Sequence, residues 1–274
     1  MLSSIVFAGI APHPPLLVPE VGGIRIAQVA ESRRALREFS RRLIDARPEA
    51  VVVISPHSPL DPRVFTARST ATLVGDFREF SAPGVRLTFP NDLGMLAAIK
   101  EAASTEGVEL RELNRDYPLD HGALVPLYYL HEAGWSGPIV IIGFTLQSNE
   151  EHLAFGRAIA NAAGAINRRV ALVASGDLSH RLVVDGPYEY EPTAHLFDEQ
   201  IVDAIARGDA SSVIDVSLDL RNRAGECGYR SILIALGTVR QNLRDHQVLS
   251  YESPFGVGYM VAVLADANRS DADP

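Results

Sequence analysis

The chain has a single cysteine, Cys227, in 274 residues. That excludes an internal disulfide and fits a reducing compartment, so a cytoplasmic protein is expected. Positive charge is also scarce. Lys and Arg total 25 against 34 Asp and Glu, a net charge of −9. An acidic protein is not drawn to phosphate backbones or anionic lipids, so neither nucleic acid nor a membrane surface is expected as a partner. No apolar run approaches the ~20 residues of a membrane span. The opening "MLSSIVFAGIAPHPP" is apolar for only about eight residues and has no basic n-region, so it reads as a first strand rather than a signal peptide. Repeats, low-complexity blocks and linkers are absent. So are a G-x-S-x-G nucleophile elbow, a P-loop and a G-x-G-x-x-G after a strand, which argues against hydrolase-fold and nucleotide-binding chemistry.

What is present is an alternation of short apolar runs and amphipathic stretches. Ile5 to Ala11, Ala50 to Ser55, Pro138 to Phe144 and Val170 to Ala174 read as strands, with Phe65 to Leu73 a weaker one. Helical spacing covers Arg25 to Ala46, Asn91 to Thr105, Val125 to Glu132 and Glu150 to Ala163. It resumes over Thr193 to Ala206, Val213 to Leu220 and Gly228 to Leu243. Val248 to Glu252 and Gly256 to Ala265 read as paired edge strands. The alternation predicts one α/β domain over residues 1–266 around a largely parallel sheet, with 267–274 as a disordered tail.

Three histidines share one context. His13 in "APHPP", His57 in "SPHSP" and His180 in "SGDLSH" each follow an expected strand. Ligands of open α/β sheets bind beyond the carboxyl ends of the strands, where these imidazoles can converge. Prolines stiffen the first two loops, which suits a metal ligand. "LDHGALVPL" adds His121 between Asp120 and Gly122. His131, His152, His195 and His246 lie in helical or polar contexts and read as solvated. Two histidines need a further donor to complete a metal site, and "GECG" offers Glu226 and Cys227 side by side, with Glu252 a weaker candidate. A carboxylate suits Fe(II) and O₂, whereas a thiolate draws the site toward Zn or Cu. Taken singly, each of these residues has a plain structural use. Glu226 suits the first turn of a helix, and Cys227 a buried apolar position. The recurrence at three strand ends is what favours a site.

Five segments in order carry a resemblance: "APHPPLLVPE", "SPHSP", "LDHGALVPL", "SGDLSH" and "GECGYRS…SYESPFGVGY". Together they resemble the catalytic chain of class III extradiol ring-cleavage dioxygenases, and more closely the branch with Memo-like proteins. The resemblance runs from His13 to about Tyr259. It implies a single α/β domain with a mixed central sheet, homo-oligomers and, in some members, a small partner subunit. It implies that His13 and His57 bind metal, that Glu226 is the metal carboxylate, and that His180 is an acid/base opposite the metal. It makes His121 a further active-site histidine. The Memo-like pattern places a cysteine at the third metal position, matched by Cys227, and also contains Asp177, expected here to orient His180. Two readings follow. With Glu226, Fe(II) chelates a small catechol- or aminophenol-type ring and O₂. With Cys227, Zn or Cu serves a redox or interaction role without ring cleavage. A metal-dependent hydrolase is a weaker third. Tyr117, Leu119, Tyr188 and Phe255 are candidate ring-binding residues.

Overall fold

The structure is a computed structural model that describes residues 4–243 and 245–268. In chain order the first elements are β1 (Ile5–Ala11), α1 (Pro19–Gly22), α2 (Ala30–Asp45), β2 (Ala50–Ile54), β3 (Phe65–Arg68), β4 (Thr72–Phe77) and β5 (Ala82–Pro90). Then come α3 (Leu93–Thr105), β6 (Leu110–Leu113), α4 (His121–Glu132), β7 (Ile139–Gly143), α5 (Asn149–Ala165) and β8 (Val170–Ser175). The last are α6 (His195–Ala206), α7 (Ala210–Ile214), α8 (Leu218–Ala224), α9 (Tyr229–Thr238), β9 (Gln247–Glu252) and β10 (Tyr259–Asp266).

Eight strands form one mixed sheet in the order β6-β3-β7-β2-β8-β1-β10-β9. Its centre, β7-β2-β8-β1, is parallel, and β10 and β9 run antiparallel at one edge. The central strands are apolar on both faces because both faces are covered. Val52, Ile54, Val140, Ile142, Leu172 and Ala174 join one core with residues of α3, α5 and α9. Their neighbours Val51, Val53, Ile139, Ile141, Ala171 and Val173 join a second core with residues of α2, α4 and the β4–β5 hairpin. This is a single α/β domain, with the polar strand ends left free at the carboxyl edge of the parallel centre.

Several expected boundaries move for identifiable reasons. The stretch from Arg25 is 3₁₀ over Gly23–Val29 before α2 begins. Phe65 to Leu73 is divided, because the chain leaves the main sheet after Arg68 and builds a separate β4–β5 pair. Strand β5 escapes the sequence pattern because Pro83, Gly84 and Pro90 interrupt it, and a two-stranded sheet tolerates proline that a central strand does not. Strand β6 is only four residues long, at the sheet edge. Val213 to Leu220 is two helices, because Ser217 accepts from the Leu220 N–H and starts α8. Helix α4 begins four residues before Val125, where Asp120 caps it. Of the expected tail, Ala267 donates to the Val6 carbonyl, and residues 269–274 lie outside the described residues.

Helices α5 and α9 pack with almost no space between their backbones. A methyl group at Gly156 would overlap the Ile234 carbonyl, and one at Gly237 would overlap Leu153 O. Gly156→Ala should therefore lower stability by about 1–3 kcal/mol, read as a lower urea midpoint. Gly84→Ala, where a methyl meets nothing within 4 Å, should stay within about 0.5 kcal/mol.

Candidate metal centre

The site is built outward from His13. The pairing of β1 with β8 places Ala11 opposite Ser175, so the residues after each strand meet. The His13 N–H donates to Asp177 Oδ1 at 3.0 Å, and His13 Nδ1 lies 3.0 Å from Ser175 Oγ. The ring's other nitrogen, Nε2, points into a cluster. It lies 3.1 Å from His57 Nε2, 3.6 Å from Cys227 Sγ and 3.7 Å from Asp177 Oδ2. His121, the first residue of α4, packs at a tilt on His57 with ring centroids 4.0 Å apart. Two groups of donors each fall within 4.8 Å: His13, His57 and His121, and His13, Asp177 and Cys227. His13 belongs to both.

The donor set fits a divalent metal. Two nitrogens 3.1 Å apart match neighbouring ligands on one ion with bonds of about 2.0–2.1 Å. Burial pushes the titration of His13 well below its usual range, and the nearby His57 adds to this. Burial brings His121 down to about 3, helped by His57 and His13. Both imidazoles are therefore neutral donors at pH 7. Burial pushes the Cys227 thiol well up, with the Asp177 carboxylate adding to the shift. Burial raises Asp177 to about 6. A cation among them would reverse both shifts, since a metal-bound thiol is deprotonated outright.

His180 stands on the far side of Cys227, its Nε2 3.9 Å from Sγ. Its Nδ1 lies 2.5 Å from the Gly225 carbonyl. A carbonyl only accepts, so Nδ1 carries a proton, and in the neutral ring the lone pair is then on Nε2, the nitrogen nearer Cys227. The expected Asp177–His180 hydrogen bond is thus replaced by Gly225 O, because the Asp177 carboxylate faces His13. Tyr188 packs on the His180 ring at 4.9 Å.

Glu226 is not brought to the histidines. Its Oε2 accepts from the Tyr229 N–H at 2.7 Å, at the start of α9, and its Oε1 is 3.4 Å from Arg221 Nε. The side chain therefore points toward the helix terminus while its neighbour Cys227 faces His13. Glu252 accepts from the Ser32 N–H at 2.7 Å and belongs to neither donor group. Of the histidines expected to be solvated, His131 and His195 are exposed. His152 is instead buried, its ring nitrogens 2.7 Å and 3.2 Å from the Ser148 and Thr145 carbonyls.

Supporting residues hold these side chains: Asp120 and Gly122 are visible in the sequence beside His121, whereas Arg68 and Asp198 carry no sequence signal of their own. Asp120 accepts from Ser55 Oγ and Ala123 N, and its other oxygen from Ser58 Oγ and Arg68. Ser55 and Ser58 flank His57, so this carboxylate ties the His57 loop to the helix that begins with His121. Burial opposes the charge on Asp120, but Arg68 and these hydrogen bonds outweigh it and hold the carboxyl below its usual range. Gly122 is required there, since a side chain would overlap Ser55 Oγ and press on His57 Cδ2 at 3.1 Å. Asp198 on α6 accepts from the Ser179 N–H at 2.8 Å and from Tyr251 OH at 2.6 Å, bracing the loop that carries His180.

Beside the cluster a cavity of about 630 Å³ opens onto His57 and His121. Phe80, edge-on to His121 at 5.4 Å, lines it together with Tyr117 and Leu119. Of the other candidate ring-binding residues, Tyr188 lies against His180, and Phe255 packs against the second core.

Imidazoles, a carboxylate and a thiol gathered beyond the parallel strands give this α/β protein a donor set that could hold a metal. Residues 8–262 match the catalytic LigB subunit of aromatic ring-opening dioxygenase, and the chain belongs to that family. Its fold is of the metal-dependent dioxygenase type. The chain is similar to Protein CA_C1420 of Clostridium acetobutylicum, 31% identical over 261 residues covering 92% of this chain and 56% of that protein. It thus spans about half the length of this curated relative. The fold is like that of the uncharacterized protein JW3007 from Escherichia coli K12, with a TM-score of 0.64 and 18% identity over 93% of this chain and 98% of that one. Among the described residues, no helix is long and apolar enough to cross a membrane.

Burial raises the Asp198 carboxyl to about 6. The folded chain then holds a proton that the unfolded chain sheds near pH 4, so this group's contribution to stability falls as pH rises from about 4 to 6. Asp198→Asn removes that slope. The variant should gain on the wild type at pH 7–8, and the difference should close toward pH 4 in urea unfolding series.

Proposed function

We propose that the chain is a non-haem metal-dependent oxidoreductase of the ring-opening dioxygenase type. Its substrate is a small aromatic ring with adjacent hydroxyl or amino groups. The observation that carries this reading is the meeting of His13 and His57 at Nε2, 3.1 Å apart, beside a cavity lined by His57, His121 and Phe80. His13, His57 and Cys227 hold the metal in this reading, with Asp177 the nearest carboxylate.

A bound redox-active ion such as Fe(II) would bring the ring's heteroatoms and O₂ together and pass electron density between them. His180, its Nδ1 braced by Gly225 O, accepts at Nε2 the proton of a substrate hydroxyl and returns it to the developing product. His121, neutral at pH 7, offers a hydrogen bond to charge building on the oxygen side. Phe80 and Leu119 hold the ring plane and exclude water.

The Memo-like reading, a Zn or Cu centre without ring cleavage, is favoured by one observation. Cys227, not Glu226, faces His13. Anaerobic reconstitution with Fe(II), then a catechol and aminophenol panel with O₂ electrode readout, separates the two. Ring-dependent O₂ uptake supports the dioxygenase. Tight Zn or Cu with no uptake supports the Memo-like role. His180→Ala should lower any turnover by about 10²–10⁴-fold and leave metal content near wild type. Loss of metal in that variant overturns the acid/base assignment. Cys227→Ser should weaken metal binding, and Glu226→Gln should leave it near wild type. The reverse order, by metal analysis, would restore Glu226 as third ligand.

A further inference from the structure

We propose that Ser175 is a positioning residue that sets the tautomer of His13, so that its Nε2 lone pair faces the metal cluster. This role rests on the reading of His13 as a metal ligand, and it follows from the protons available in a buried chain of three groups. Ser175 Oγ lies 2.5 Å from the Gly122 carbonyl and 3.0 Å from His13 Nδ1. Ser175 is fully buried and His13 is only 2% exposed, so water does not compete.

A carbonyl oxygen has no proton to give. At 2.5 Å, the Ser175 hydroxyl must therefore direct its one proton at Gly122 O, since two bare oxygens at that distance would repel. The hydroxyl is then only an acceptor toward His13, and Nδ1 must supply the proton. With Nδ1 protonated, a neutral His13 has its lone pair on Nε2, the nitrogen that faces His57, Cys227 and Asp177. Hydrogen bonds to a ligating imidazole's other nitrogen commonly fix both ring orientation and tautomer.

The chain of three groups also joins elements. Ser175 ends β8, His13 follows β1, and Gly122 opens α4 beside His121. One hydroxyl thus couples the position of His13 to the helix that delivers His121. The hydroxyl of Ser175 bonds to His13 and Gly122, so its effect passes through His13.

The test reads the tautomer in metal-free protein at neutral pH, by long-range ¹H–¹⁵N correlation of the His13 ring. The wild type is expected to show a protonated Nδ1 and an unprotonated Nε2. Ser175→Ala should move His13 to a mixed or Nε2-protonated state and weaken Zn(II) binding by about 10–100-fold. Ser175→Thr, which keeps the hydroxyl, should restore affinity to within about threefold of wild type. A wild-type His13 protonated on Nε2 would overturn the assignment, whether or not the alanine variant folds. So would an alanine variant with unchanged tautomer and unchanged Zn(II) affinity. A wild type that bound no metal would refute the metal centre, while a proton on Nδ1 would still support the role of Ser175.

Discussion

The parallel pairing of β1 with β8 is the constraint on which the centre depends. It aligns Ala11 with Ser175 and so brings His13 against Ser175 and Asp177 without any long-range search. A second close approach completes the arrangement. A methyl at Gly176 would overlap the Gly228 backbone, so this pair of glycines lets the turn before α9 come down onto the end of β8. Cys227 reaches His13 because of that contact. Two glycines and one strand register therefore decide which donor meets the imidazoles.

The electrostatics follow from the same burial. A pocket that strips water from His13, His121, Asp177 and Cys227 favours the neutral form of each. A cation among these groups would compensate a desolvated carboxylate and thiolate together. Asp120 differs because it is saturated by Ser55, Ser58, Ala123 and Arg68. Its charge serves to hold two loops in place rather than to bind a metal.

Much of this was legible in the chain. The β-branched runs at Ala50–Ile54 and Val170–Ser175 announce buried strands, and histidines immediately beyond them announce a strand-end site. Strands β5 and β6 were not legible, because prolines break one and the other has four residues with no alternation to read. The roles of Ser175, Asp198 and Arg68 were hidden for a related reason. A buried serine or arginine matters through its partners, which lie 53, 19 and 52 residues away in Gly122, Ser179 and Asp120.

Composition and local pattern determined the domain class, the parallel centre of the sheet and the candidate donors, because these depend on residue type and short-range periodicity. Which of two adjacent residues faces His13 did not follow from type. Glu226 and Cys227 are neighbours with equally suitable chemistry. Tertiary structure separated them, since the backbone N–H of Tyr229 and the guanidinium of Arg221 hold the carboxylate while the Gly176–Gly228 contact turns the thiol toward His13. That choice rests on partners supplied by α8, α9 and β8 together, and no single segment contains it.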